Sequence, residues 1–107
     1  MLQGTLELLV LKLLSVEPLH GWGITQRLED MSANVLQVNQ GTLYPALERL
    51  KRSGWIKSEW KVTENNRRAR YYRLTPAGRR QLALERTRWE RTTAATNLIL
   101  DWNGGTA

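Results

Sequence analysis

Residues 41–62, GTLYPALERLKRSGWIKSEWKV, change their hydrophobic period halfway along, and that change decides the fold. From Gly41 to Ser53 the apolar residues Leu43, Ala46, Leu47 and Leu50 recur at helical spacing, which marks one buried face. Pro45, Glu48, Arg49 and Arg52 point the other way at about 100° per residue. Pro45 has no N–H and is tolerated because the first turn of a helix leaves its donors unpaired anyway. Gly54 then stops the helix, since glycine readily takes the left-handed conformation that commonly ends one. Beyond it Ile56, Ser58, Trp60 and Val62 alternate with Lys57, Glu59 and Lys61, the period of a strand. Thr63 to Asn66 is a polar turn, and Arg68 to Leu74 reads as the return strand of a β-hairpin.

Upstream, Leu2 to Ser15 carries Leu2, Leu6, Leu9, Val10, Leu13 and Leu14 at helical spacing. Leu8 and Leu11 widen the stripe beyond one core contact, so this helix is expected to need a second partner surface. Pro18 ends it, and Leu19-His20-Gly21 reads as a connecting turn. A second helix is expected from Gly21 to Met31, with Ile24, Leu28 and Met31 on one face and the glycines allowing close approach of a neighbouring helix. Asn39 or Thr42 would cap the third helix. Downstream, Thr75-Pro76 supplies an N-cap hydroxyl and a proline at the first helical position. The last helix should run from Pro76 to about Trp102, where Asn103-Gly104-Gly105 ends it. At 1.5 Å per residue it is on the order of 40 Å long and overhangs the unit before it.

Three helices, a hairpin and a long helix follow the order of a winged helix-turn-helix domain with an added C-terminal helix. The expected class is therefore mainly α with a small β-hairpin. Its expected division is a DNA-binding unit at 1–75, a dimerisation helix at 76–102 and a disordered tail at 103–107. In winged helix-turn-helix domains the third helix enters the major groove and the wing grips flanking backbone. The charge suits that use. The net charge is +6, and from Lys61 to Arg80 the cations Lys61, Arg67, Arg68, Arg70, Arg73, Arg79 and Arg80 face only Glu64. The exposed side of the third helix offers Gln40, Thr42, Tyr44, Arg49 and Arg52 to base edges, and the hairpin offers Lys61, Arg67, Arg68 and Arg70 to phosphates. Plainer readings stand beside these. Arginines on a helix can be a solvated face, positive charge on a hairpin can guard its edge, and Tyr44 can pack on the hairpin instead of on DNA. Glu48 would repel phosphate and reads as an intrahelical partner of Arg52.

Other functions are disfavoured. There are no cysteines, which removes disulfides, thiolate metal sites and cysteine nucleophiles together. His20 is the only histidine and suits a cap or turn better than a metal site. No catalytic constellation can be assembled, so the chain reads as neither an enzyme nor the holder of a metal or cofactor. No apolar run reaches the roughly 18 residues of a membrane span, and the first residues lack the marks of a signal peptide, so a cytoplasmic location is expected.

The chain resembles the PadR family of bacterial transcriptional regulators. The matching stretches are Leu19 to Ile24, Gln40 to Leu50, Gly54-Trp55-Ile56 and Arg67 to Gly78, with Arg-Tyr-Tyr-Arg-Leu-Thr-Pro-x-Gly the most specific. The resemblance implies a homodimer held by the C-terminal helix on the partner's first helix, transcriptional repression, and in some members release by a small aromatic molecule. It also implies that Gln40, Thr42, Tyr44, Pro45, Arg49 and Arg67 to Arg70 meet double-stranded DNA. One C-terminal helix corresponds to the short-tailed branch, and Trp22 stands where tyrosine is common.

A dimer has its own basis in the residues. Leu6, Leu8 and Leu11 on the first helix and Leu82, Trp89, Leu98, Ile99, Leu100 and Trp102 on the last are more apolar surface than one protomer needs. Burying the tryptophans alone would favour association by several kcal/mol, at roughly 25 cal/mol per Å2, before entropy costs. A two-fold dimer would read an inverted repeat with half-sites about one turn, ~34 Å, apart. Trp89 and Trp102 are the candidates for lining an effector site between subunits, although tryptophan at an interface is more often plain packing. The alternative to a DNA-binding regulator is a winged-helix module for protein interaction or RNA.

Overall fold

Three helices of this chain begin where a side chain accepts an orphan N–H. The structure, a computed structural model, describes residues 3–105. Leu2, expected at the head of the first helix, and residues 106–107 of the expected tail lie outside the described residues. The elements in order are α1 (Gln3–Val16), β1 (Leu19–His20), α2 (Gly21–Met31), α3 (Gln40–Arg52), β2 (Ile56–Val62), β3 (Arg68–Leu74) and α4 (Pro76–Leu100). His20 caps α2, its Nδ1 accepting from the Gly23 N–H at 2.9 Å. Asn39 caps α3 through Oδ1 and the Thr42 N–H at 2.9 Å. Thr75 caps α4, accepting from the Gly78 N–H at 3.0 Å while its hydroxyl donates to the Gly54 carbonyl at 2.7 Å. Gly54 has a φ of +78°, and the Trp55 N–H returns to the Leu50 carbonyl at 3.1 Å, closing the end of α3.

The protein is mainly helical with a small three-stranded antiparallel sheet, ordered β1-β3-β2. The first strand corrects the expectation of a plain connecting turn at Leu19-His20. These residues pair with Tyr72 and Tyr71, so β3 is the central strand and the wing is anchored to the body through its return strand. A pairing of two residues is too short to show alternation in sequence.

The core joins α1, α2 and α3 to the base of the hairpin, with Val10, Ile24, Leu43, Leu47, Leu50, Ile56 and Tyr72 buried within it. Leu6 and Leu11, expected at a dimer interface, are 2% and 1% exposed inside the same core. Helix α1 packs against α2, α3, β3 and α4 of its own chain, so its broad apolar stripe is absorbed within the protomer. Leu8 alone of the three keeps an outward position, half-buried.

Helix α4 docks through its first turns and then leaves. Gly78 is buried and Leu82 packs partly on the core, whereas Leu84, Trp89, Leu98, Ile99, Leu100 and Trp102 are exposed. The overhang makes the molecule 63 Å long against 29 and 22 Å across. Trp102 lies just past the helix, its indole N–H donating to the Gly105 carbonyl at 2.8 Å. No helix among the described residues is long and apolar enough to cross a membrane.

Candidate nucleic-acid interface

Two elements build the candidate surface, and the core fixes both. Helix α3 is held by Leu43, Ala46, Leu47 and Leu50, all buried, which turns Thr42, Pro45, Glu48 and Arg52 outward. The hairpin is held by Ile56, Tyr72 and Leu74 at its base, and its strands run on past the body. Residues directly opposite in an antiparallel pair share a face. Trp60 lies opposite Arg70, and Val62 opposite Arg68, on the face that begins at the core with Ile56 opposite Leu74. That face and Tyr44 of α3 bound a cleft of about 540 Å3, whose lining includes Trp22, Tyr44, Trp60, Arg67, Arg68 and Arg70.

The turn at the tip of the wing is set by Thr63. Its N–H donates to the Arg67 carbonyl at 2.6 Å, its carbonyl accepts from Asn66 at 2.9 Å, and its hydroxyl accepts from the Arg67 N–H at 3.3 Å. Asn66 takes a φ of +58°, a left-handed conformation that asparagine tolerates well. Arg67 and Arg68 are thereby carried at the exposed end of the hairpin. Neither these two nor Arg52 forms an ion pair with a carboxylate among the described residues. An unpaired guanidinium has its full charge and both edges available to a phosphate.

The sequence-expected residues do not all meet there. Tyr44, Arg67, Arg68 and Arg70 come together around the cleft; Thr42 and Pro45 are exposed on α3 outside its lining, and Arg52 lines a separate hollow with Glu7, Arg49 and Trp55. Gln40 is turned inward in part, its amide donating to the Thr25 hydroxyl at 3.4 Å and so tying α3 to α2. Arg49 pairs through Nε with Glu7 of α1 at 2.7 Å and braces α3 against α1. Lys61 lies on the opposite face of the hairpin, opposite Ala69, 3.4 Å from Glu59 and over the Tyr71 ring. Glu48 pairs with Lys51, at i+3 and 3.3 Å, rather than with Arg52 at i+4; both positions neighbour it on the helix surface.

Sequence reasoning does not single out Trp60, which the strand period assigns to the inward face. It is on that face but beyond the reach of the core, 54% exposed, with the guanidinium carbons of Arg68 and Arg70 at 5.3 and 5.0 Å from its ring centre. A tryptophan among arginines is the available signal. His20 is used as a cap and stacks edge-on to Tyr71 at 5.1 Å, and among the described residues no group of three or more potential ligands is placed to hold a metal.

Comparison with known proteins gives the family. Residues 10–84 match the transcriptional regulator PadR-like family. A transcriptional regulator of Mycobacterium tuberculosis is 43% identical over 67 residues, which cover 63% of this chain and 59% of that protein, so the match spans less than two thirds of that relative. The structure of a transcriptional regulator from Clostridium thermocellum superposes with a TM-score of 0.81 at 30% identity, covering 88% of this chain and 91% of the other. A PadR family transcriptional regulator from Eggerthella lenta gives 0.80 at 32% identity, covering 94% and 85%. The chain therefore belongs to the PadR-like family of transcriptional regulators, proteins that act by binding DNA and are not enzymes.

Proposed function

We propose that the chain is a sequence-specific repressor that works as a homodimer on an inverted-repeat operator. The observation that carries this reading is a shared cleft: Tyr44 of α3 and the arginine-bearing face of the wing line it together. Residues 1–75 form the reading unit, with Thr42, Tyr44 and Pro45 toward base edges and Arg52, Arg67, Arg68 and Arg70 toward phosphates. Gln40 and Arg49 border this surface while serving the fold, and Lys61 adds charge from behind it. Residues 76–102 form the dimerisation unit. Gly78, Leu82, Trp89, Thr93 and Leu100 fall on one side of α4, and this stripe packs on the body early but is exposed at Trp89 and Leu100. A second copy is the cover it calls for, with Leu8, Leu98, Ile99 and Trp102 adding area. A dimer seated on a promoter occludes it, which is repression. Trp89 and Trp102 are the residues through which a flat aromatic molecule would bind between subunits and release the operator.

The test is a binding titration against a duplex that the chain selects from a random pool, run beside a scrambled duplex at two salt concentrations. Preference for the selected duplex, with affinity falling steeply as salt rises, is the expected result. Equal affinity for both duplexes contradicts it. Stronger binding to structured RNA would favour the RNA alternative, and a tight protein partner without duplex preference would favour the interaction module.

A further inference from the structure

We propose that Trp60 is a positioning residue of the wing, whose indole ring holds the guanidiniums of Arg68 and Arg70 side by side on the DNA-facing surface. This rests on the DNA-binding reading above and adds a residue to it. Three observations carry it. The register places Trp60 directly opposite Arg70 and diagonal to Arg68, so all three side chains leave the hairpin on one face. Both guanidinium carbons lie within the distance at which an aromatic ring attracts a cation, 5.0 Å for Arg70 and 5.3 Å for Arg68. The indole is half exposed, outside the core, so packing does not explain a large aromatic there.

The physical use is preorganisation. A free arginine on a strand tip samples many rotamers, and binding a phosphate must freeze them. Guanidiniums held against a ring have already lost much of that freedom, while the N–H groups not otherwise engaged remain available to a phosphate. Arg70 is fixed further by its bond to the Ser58 hydroxyl at 3.4 Å. The cleft on this face also carries Trp22 and Tyr44, and none of its lining residues is a carboxylate. The two cations are therefore presented together, on one face of the hairpin, to a polyanion.

The test uses full-length Trp60→Ala, Trp60→Phe and Trp60→Ile, each also made in an Arg68→Ala/Arg70→Ala background. Affinity is measured by fluorescence anisotropy on a duplex of about 30 base pairs selected from a random pool by the wild-type chain. Trp60→Ala should weaken binding roughly tenfold, the sum expected of two exposed stacking contacts. Trp60→Phe, which keeps a π face, should recover most of it. Trp60→Ile, a good strand former without a π face, should not. In the background lacking both arginines, Trp60→Ala should change affinity less than twofold. Should Trp60→Ala fail to fold, Phe against Ile decides the question. Equal binding by the Phe and Ile variants, or an undiminished tenfold loss without the arginines, overturns the proposal. A wild-type chain that prefers no duplex overturns the DNA reading and this proposal together, whereas a wild-type preference untouched at Trp60 overturns the proposal alone.

Discussion

Gly78 shows how one residue can decide whether the C-terminal helix docks. A β-carbon there would overlap the Trp55 carbonyl oxygen and press on Leu74. The Trp55 carbonyl is itself held by the Thr75 N–H at 3.0 Å, so the backbone has little room to yield. Gly78→Ala should therefore cost about 1–3 kcal/mol of stability, as overpacking a close contact does, although alanine is the better helix former. Chemical denaturation of the two proteins checks this, and an unchanged midpoint contradicts it. Tyr72 makes a second prediction. Burial pushes its hydroxyl above the usual tyrosine range, Tyr44 and Glu48 add to the rise, and Arg70 opposes it. Below about pH 10 the folded and unfolded chains both keep the proton, and above it the unfolded chain loses it first. Stability contributed by the neutral hydroxyl is thus lost as pH rises. Between about pH 9 and pH 11 the melting temperature of the wild type should fall further than that of Tyr72→Phe. Parallel falls would show that Tyr72 is not the group concerned.

At the scale of elements, the proposed reading gives α3 and the wing different parts of recognition, which should separate under mutation. Arg68→Ala should weaken selected and random duplexes alike and lower the salt slope by about one, the signature of a lost phosphate contact. Tyr44→Ala should cost about tenfold on the selected duplex and little on the random one, since base contacts specify while phosphate contacts position. Identical losses for both variants on both duplexes would contradict the division. Much of this surface is legible in the order of the residues alone. The period change across Gly54 marks α3 and β2, the Asn39 and Thr75 caps mark two helix starts, and arginines concentrated after Lys61 mark the basic side. Three features are not legible, for physical reasons. Strand alternation assigns Trp60 to a face but does not say where along the hairpin the body ends. The width of the α1 stripe shows how much apolar surface needs cover but not what covers it, which is why Leu6 and Leu11 read as interface residues yet lie in the core. The β1 pairing spans two residues, below the length at which any period registers.

The whole molecule is a small basic body with a projecting helix, a shape that leaves apolar surface unburied in a single copy. Leu98, Ile99 and Leu100 lie together at the end of α4 and are largely exposed. Exposed apolar side chains in this number are what the proposed association would cover. Trp89→Glu places a charge in the centre of the proposed contact and should weaken self-association by at least tenfold, with operator affinity falling along with it. Loss of DNA binding without loss of the dimer would separate the two and contradict the coupling. Joining two copies also doubles the +6 charge brought to a duplex, which steepens salt dependence beyond what one wing supplies. Sedimentation velocity at micromolar protein, with and without the selected duplex, tests the pairing most directly. A dimer in free solution and two chains on each duplex are expected; a lone protomer, bound one to a duplex, would contradict the homodimer outright.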